Sequence, residues 1–524
     1  MSKSEGNKRK KNRSGNANVV KIVVAVVLVL AVAGYAIYVT GVIPRVLNGV
    51  TVTETMEDGS KKVVGKASVL ETNFHFSGIF NQYYYYGQVT RDTLDDVKDE
   101  STGKTWRDTL VDETADNIME QILFNNDAKK NGFGEFSQAA RAAEMEANEL
   151  SDSAKQNGYP SVSSYLAAAY GTGMSLRAYR QFLQNEIMVE EYQEYVKQFN
   201  LMPTNEEVRD DYDKNPNQYK LADFNFYFFS AETDDDGKAK NLDEVKKQAQ
   251  KVADAAKDSD SFTQAVIDVL KERKEDSYAE ALEKGEDTTF HEGMTASYLS
   301  SLNEKVTAYL FQEDNVGKAG IIEMDTGYYA VLLDALYQDT TATVSYRTLT
   351  LNVDTPDDAT DDQIAKAVSD VEAKANNLVG STRLSNFEFY NLVKANTDLS
   401  TEILSGGYVA DGVLTNFVPS EEDEEMPEEE EEDAGETTAE KDEAKEAVGN
   451  WLFDSARQEG DTYVSVASDK KTVTIYFFIN NVPSWAANSR SSIVSNRYTT
   501  WEEGIKGNSP AYVVNAGWVK TFAY

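Results

Sequence analysis

"LADFNFYFFSAE", residues Leu221 to Glu232, decides the fold. Aromatic side chains fall at almost every second position, the period of a β-strand, and the acidic turn-former "AETDDDG" comes after it. A strand this aromatic needs helices over at least one face. The chain supplies them next. "NLDEVKKQAQKVADAAKD", "SFTQAVIDVLKER" and "TASYLSSLNEKVTAYLF" read as three helices, and "KAGIIEMD" with "TGYYAVLLDALY" reads as a closing strand pair turning at Thr326-Gly327. The same order then recurs. Strand "VSYRTLTLNV" leads to helices "TDDQIAKAVSDVEAKANNLV" and "NFEFYNLVKAN", then a glycine turn "SGGYVADG". Helix "AVGNWLFDSARQ" and strands "TYVSVAS" and "KTVTIYFFINNV" complete it. Two α+β units, 219–341 and 342–488, thus share one plan, an internal duplication of architecture rather than of residue identity.

Upstream the period is helical. Trp106, Leu110, Thr114, Ile118 and Ile122 recur every four residues, and Gly132, Gly158 and Gly171 are placed as helix stops. Ser175 and Thr204 are expected N-caps. Residues 69–218 therefore read as an all-helical module.

Composition narrows the function. The 524 residues suffice for roughly three or four domains. The net charge of −38 repels nucleic acid and anionic lipid alike. The absence of cysteine excludes disulfides, thiol catalysis and cysteine-ligated zinc. No cofactor or metal motif is present. At the start, a basic tail (1–21) precedes "IVVAVVLVLAVAGYAIYVTGVI", residues 22–43, an uncharged run about long enough to span a bilayer. The expectation is a single-pass anchor contacting lipid, with the N-terminus cytoplasmic, a juxtamembrane segment at 44–68 and the bulk extracytoplasmic. A cleaved signal peptide ending near Ala31-Val32-Ala33 is the competing reading. Between 419 and 447 an acidic insert holds 16 acidic against 2 basic residues from Glu421 to Glu446 and is expected to be a solvated loop.

The blocks "YPSVSSYLAAAYGTGMSLRAYRQFLQNEI" and "TNEEVRDDYDKNPNQY" resemble the N-terminal domain of SurA-like and PrsA-like extracytoplasmic foldases. The two α+β units resemble their parvulin-type peptidyl-prolyl isomerase domains, through "NVGKAGIIEMDTGYYAVLL" in the first unit and "FYNLVKAN" with Gly406-Gly407 in the second. The resemblance implies an α+β multidomain chain with an N-terminal transmembrane helix, an all-helical SurA-N-like module and two parvulin-like units. It also implies that the C-terminal segment 489–524 completes the helical module, with Ile493, Tyr498 and Trp501 as contact candidates.

The departures bear on activity. The family's histidine positions correspond to about Asn225 and Tyr329 in the first unit, and to Thr348 with no histidine downstream in the second. The chain's two histidines, His75 and His291, fit neither place and are expected at the surface or in local hydrogen bonds. Asp223 or Asp325 could supply an acid, though an aspartate beside a strand or turn is usually solvated. The units are thus expected to be catalytically inactive, and the chain to be a chaperone holding unfolded or extended secreted polypeptides. Client-contact candidates are Phe224, Phe226, Tyr179, Phe182 and Leu183. An active prolyl isomerase and a surface adaptor for one folded partner are the alternatives.

Overall fold

The computed structural model describes residues 42–56, 58–234, 239–356, 358–417, 442–507, 510–515 and 517. The acidic run 418–441 and residues 1–41 lie outside them. Among the described residues no helix is long and apolar enough to cross a membrane. This corrects the transmembrane helix expected over 22–43. Only Val42 and Ile43 of that run are described, where they open a five-residue helix, Val42–Val46; residues 22–41 lie outside the described residues. The Arg45 guanidinium, which donates to Gly173 O at 2.6 Å, ties this turn to the loop before the Leu176–Tyr195 helix.

Residues 69–218 are not all-helical, since they hold a small strand pair, and the stretch before them is a hairpin. Strands β1 (Asn48–Thr55) and β2 (Lys61–Ser68) form an antiparallel hairpin. A second small hairpin joins β3 (Val97–Asp99) to β4 (Lys104–Thr105). Its turn is local chemistry that apolar periodicity does not register: the Asp99 carboxylate accepts from the Ser101 amide and hydroxyl and from the Thr102 hydroxyl. The helices of this part are Val69–Tyr85, Trp106–Lys130, Ala139–Gln156, Val162–Tyr170, Leu176–Tyr195 and Asn205–Lys214, the first two packing on the strands. Capping boxes start four of them, at Ser68 with Glu71, Thr105 with Asp108, Ser161 with Ser164 and Thr204 with Glu207. Ser175 caps the Leu176–Tyr195 helix by accepting from the Ala178 amide.

The first α+β unit is built on β5 (Lys220–Ser230), β6 (Phe290–Thr295), β7 (Lys318–Met324) and β8 (Gly327–Gln338), in spatial order β6-β5-β8-β7. The second is built on β9 (Ala342–Asn352), β10 (Tyr408–Gly412), β11 (Thr462–Val466) and β12 (Thr472–Pro483), in order β10-β9-β12-β11. With β5 matched to β9 and β8 to β12, the two sheets have one topology, and every pairing in both is antiparallel.

The aromatic alternation of β5 has a two-sided explanation. Ala222 and Phe224 pack with Leu299, Val306 and Leu310 from the short helices 296–310. Phe229 packs on the other face with Val245, Val252, Phe262 and Val266 from the helices at 242–272. Helices therefore cover both faces, and each fully buried Phe contributes roughly 1.5–3 kcal/mol of transfer free energy. The β7–β8 turn needs glycine at Gly327, because a Cβ there would lie 2.2 Å from Phe229 O.

The chain's last described segment returns to its first. Helix Ser484–Lys506 packs on the Asn205–Lys214 helix, with the Ser489 hydroxyl donating to Val208 O at 3.1 Å. Strand β13 (Ala511–Val514) pairs antiparallel with β1, Val50 facing Val514 and Thr53 facing Ala511. Trp501 sits 5.3 Å from the Phe124 ring and 5.7 Å from Tyr192.

Candidate binding site at the junction of the helical part and the second unit

Three elements meet beside the second sheet. One is the loop after the Trp106–Lys130 helix, which carries Asn131, Phe133 and Phe136. Another is the C-terminal end of the Leu176–Tyr195 helix, which continues into one turn of π-helix at Val196–Asn200. The third is the Asn386–Asn396 helix of the second unit, started by the capping box of Ser385 and Glu388. A π-turn inserts an extra residue into the helical ladder and rotates the residues C-terminal to it, and such turns are frequent at functional sites. Here it leaves Asn200 lining the pocket while Phe199 packs edge-on against Tyr390 and Phe387, at 5.1 and 5.5 Å.

The resulting pocket has a volume of about 320 Å³. Its walls are the rings of Phe133, Phe136, Tyr192, Tyr195, Phe387 and Tyr390, and the amides of Asn131, Asn200 and Asn391 stand among them. Phe136 is 58% exposed and Phe387 42%, so two large apolar rings face solvent at its edge. That is the composition of a small ligand site, apolar walls with a few polar groups to fix orientation.

Behind the lining lies a buried ion pair. Lys394 Nζ lies 2.7 Å from Glu191 Oε1, with both residues shut off from solvent. The ammonium also donates to Phe136 O at 3.0 Å and to Tyr390 Oη at 3.2 Å. Glu191 accepts in addition from the Ser137 hydroxyl at 2.5 Å and the Gln138 amide at 3.1 Å. Burial pulls the Lys394 ammonium below the usual lysine range and the Glu191 charge opposes that. Arg141 donates to the carbonyls of Lys394 and Thr397, each at 2.7 Å, placing a cation on the C-terminal end of the Asn386–Asn396 helix.

Arg347 on β9 is fully buried. Its guanidinium carbon is 5.3 Å from each of the Phe199, Tyr390 and Tyr408 ring centroids. Its donors go to Asn386 Oδ1 at 2.6 Å and to the carbonyls of Ser405 and Gly406. Oxygen dipoles and ring faces thus carry this charge, and burial lowers its pKa to about 10.

The expected isomerase positions do not converge. Asn225 is fully buried, its amide 2.8 Å from the Ser259 hydroxyl, on the sheet face covered by the 242–272 helices. Tyr329 lies on the opposite face, stacked between Phe226 at 5.7 Å and Phe228 at 4.7 Å. Thr348 donates to the buried Glu402 carboxylate at 2.7 Å, which also accepts from Thr350 and Thr397. Asp223 accepts from the Gly293 amide and the Tyr337 hydroxyl, and Asp325 sits in the β7–β8 turn.

Of the expected client contacts, Phe224, Phe182 and Leu183 are buried. Phe226 and Tyr179 are half-buried against His291 and Phe74. Of the two placements expected for His75, surface or hydrogen-bonded, it is not at the surface: it is 6% exposed on the Val69–Tyr85 helix, hydrogen-bonded with Gln121, and burial holds its pKa down at about 4. His291 lies on edge strand β6, stacked on Phe224 at 5.4 Å.

Sequence reasoning reaches the pocket only through "FYNLVKAN", which supplies Tyr390 and Asn391. Aromatics three residues apart on one helix (Phe387, Tyr390) and in one glycine-containing loop (Phe133, Phe136) are the signals that point to it. Among the described residues no group of three or more His, Asp or Glu could hold a metal ion. No protein-family model and no curated protein matches this chain.

Proposed function

We propose that this chain is a polypeptide-binding chaperone that captures extended, unfolded segments at the junction pocket and does not isomerise prolyl bonds. The observation that carries the reading is the pocket itself: six aromatic walls with two rings open to solvent, next to asparagine amides suited to a peptide backbone. The separation of Asn225 from Tyr329 by the thickness of the sheet supports the second half, since function rests on the site and not on the topology. The shared order of the two sheets behind a mainly helical part supports the SurA-like and PrsA-like reading of the architecture. The test is suppression of aggregation of a chemically unfolded client by the full chain, compared with the Phe136→Ala/Phe387→Ala double variant. Loss of most of the suppression with unchanged thermal stability is the expected result. Equal suppression by both proteins removes the pocket from the function.

A further inference from the structure

We propose that the junction pocket selects a cationic side chain, lysine or arginine, from the bound polypeptide, an inference that rests on the chaperone function and names its preferred client class. The first support is the wall chemistry. Ring faces carry negative potential, and cages of several rings are the usual protein receptacle for organic cations. The second support is internal to the site. The same aromatic cluster already holds two buried cations on its inner side: Lys394 Nζ is 4.7 Å from the Tyr390 centroid and 5.2 Å from Phe133, and Arg347 is held by the Phe199, Tyr390 and Tyr408 rings.

Tyr390 and Phe133 therefore have committed faces. Tyr192 is buried against Phe133 and Trp501, and Tyr195 packs on Phe133 and Phe199. Phe136 and Phe387, the two rings open to solvent, have surface left for a client cation, and the asparagine carbonyls of the lining can accept from an ammonium or guanidinium. Charge complementarity is the third support. The lining carries no formal charge, and the net charge of −38 draws basic segments and repels acidic ones.

The experiment uses the full chain and fluorescein-labelled, unstructured peptides identical except at one central position, which is lysine, arginine, norleucine or phenylalanine. Anisotropy is read in about 1 M salt, where the Debye length is roughly 3 Å and long-range attraction is removed. The expected result is that the lysine and arginine peptides bind roughly tenfold tighter than the norleucine peptide. Phe387→Leu and Phe136→Leu should each cut that advantage, read as the ratio of lysine to norleucine affinity, to about twofold, because leucine keeps the apolar wall and removes the ring face. Norleucine or phenylalanine binding as tightly as lysine overturns the cation preference and leaves the chaperone reading standing. No binding of any peptide overturns both.

Discussion

Glu191 and Lys394 form a buried ion pair across the junction of two parts of the chain more than 200 residues apart in sequence, with 2.7 Å between Oε1 and Nζ and exposures of 0% and 1%. Removing one partner strands the other charge in a low-dielectric setting. Lys394→Met should therefore cost about 3–5 kcal/mol of unfolding free energy. Replacing both partners by apolar residues of similar size, Glu191→Leu with Lys394→Met, should recover most of that loss. Urea unfolding of the three proteins decides it. Equal loss in single and double variants would mean that the pair's hydrogen bonds to Ser137 and Phe136, rather than its charge balance, hold the junction.

Two titrating groups should pull stability in opposite directions with pH. His75 is held near pKa 4 against an ordinary 6.5 by burial, so the unfolded chain takes up a proton that the folded chain refuses. Stability from this group is complete above pH 6.5 and falls as the pH drops toward 4, by about 3 kcal/mol in all. Glu186 is pushed up to about 7 from 4.5, first by burial and then by Glu190 and Glu146. The folded chain therefore holds a proton there that the unfolded chain has lost, and its stabilisation fades as pH rises from 4.5 through 7. Glu186→Gln should raise stability by about 2 kcal/mol at pH 8 and leave it unchanged at pH 4. His75→Gln should flatten the acid loss between pH 6.5 and 4. Chemical denaturation at four pH values reads both effects; a Glu186→Gln gain at pH 4 would refute the assignment.

Backbone conformation gives a sharper contrast. Gly407 has φ +70°, and a Cβ there would lie 1.9 Å from Thr348 O, on the strand it must approach to accept from the Thr348 amide at 2.8 Å. Gly59 has φ +79° with open space around it. Gly407→Ala should cost at least about 3 kcal/mol, clash adding to strain, and Gly59→Ala only about 1 kcal/mol. Comparable melting temperatures for the two variants would contradict the crowding at β9.

The legible part of the sequence is its local chemistry. Ser175 and Thr204 as caps, and Gly132, Gly158 and Gly171 at helix ends, arise from side chains satisfying the nearest backbone groups. The repeated plan of the two units arises from the alternation of β5 and β9 against helical periods. The β3–β4 hairpin is invisible at that level because two- and three-residue strands carry no periodic signal. Strand β6 is hidden because its residues, Phe290 to Thr295, read as a loop beside a glycine. The second cover on β5 is equally silent: alternating aromatics tell that two faces exist, and only the short helices at 296–310 show that both are buried. The pocket joins Phe133, Tyr195 and Tyr390, whose proximity depends on how the second unit docks. No window of sequence contains that information.

Prolyl isomerisation sets the most demanding test of the site. Lowering a barrier of about 18–20 kcal/mol for prolyl rotation requires groups that converge on one bound imide. Asn225 is buried beneath the 242–272 helices with its amide on Ser259, and Tyr329 points from the other face of the same sheet. A substrate that touched Tyr329 could not reach Asn225 without removing the cover of one face. The full chain should therefore show no prolyl isomerisation above the uncatalysed rate in a protease-coupled peptide assay. Asn225→Ala should leave that baseline unchanged while costing about 1–3 kcal/mol of stability, because the Ser259 hydroxyl loses its partner inside the core. Phe387→Ala, in contrast, should leave stability within about 1 kcal/mol of the parent, since its ring is 42% exposed, and should weaken client holding. A measurable isomerase rate that disappears with Asn225→Ala at unchanged stability would reverse this assignment and make the first unit an enzyme.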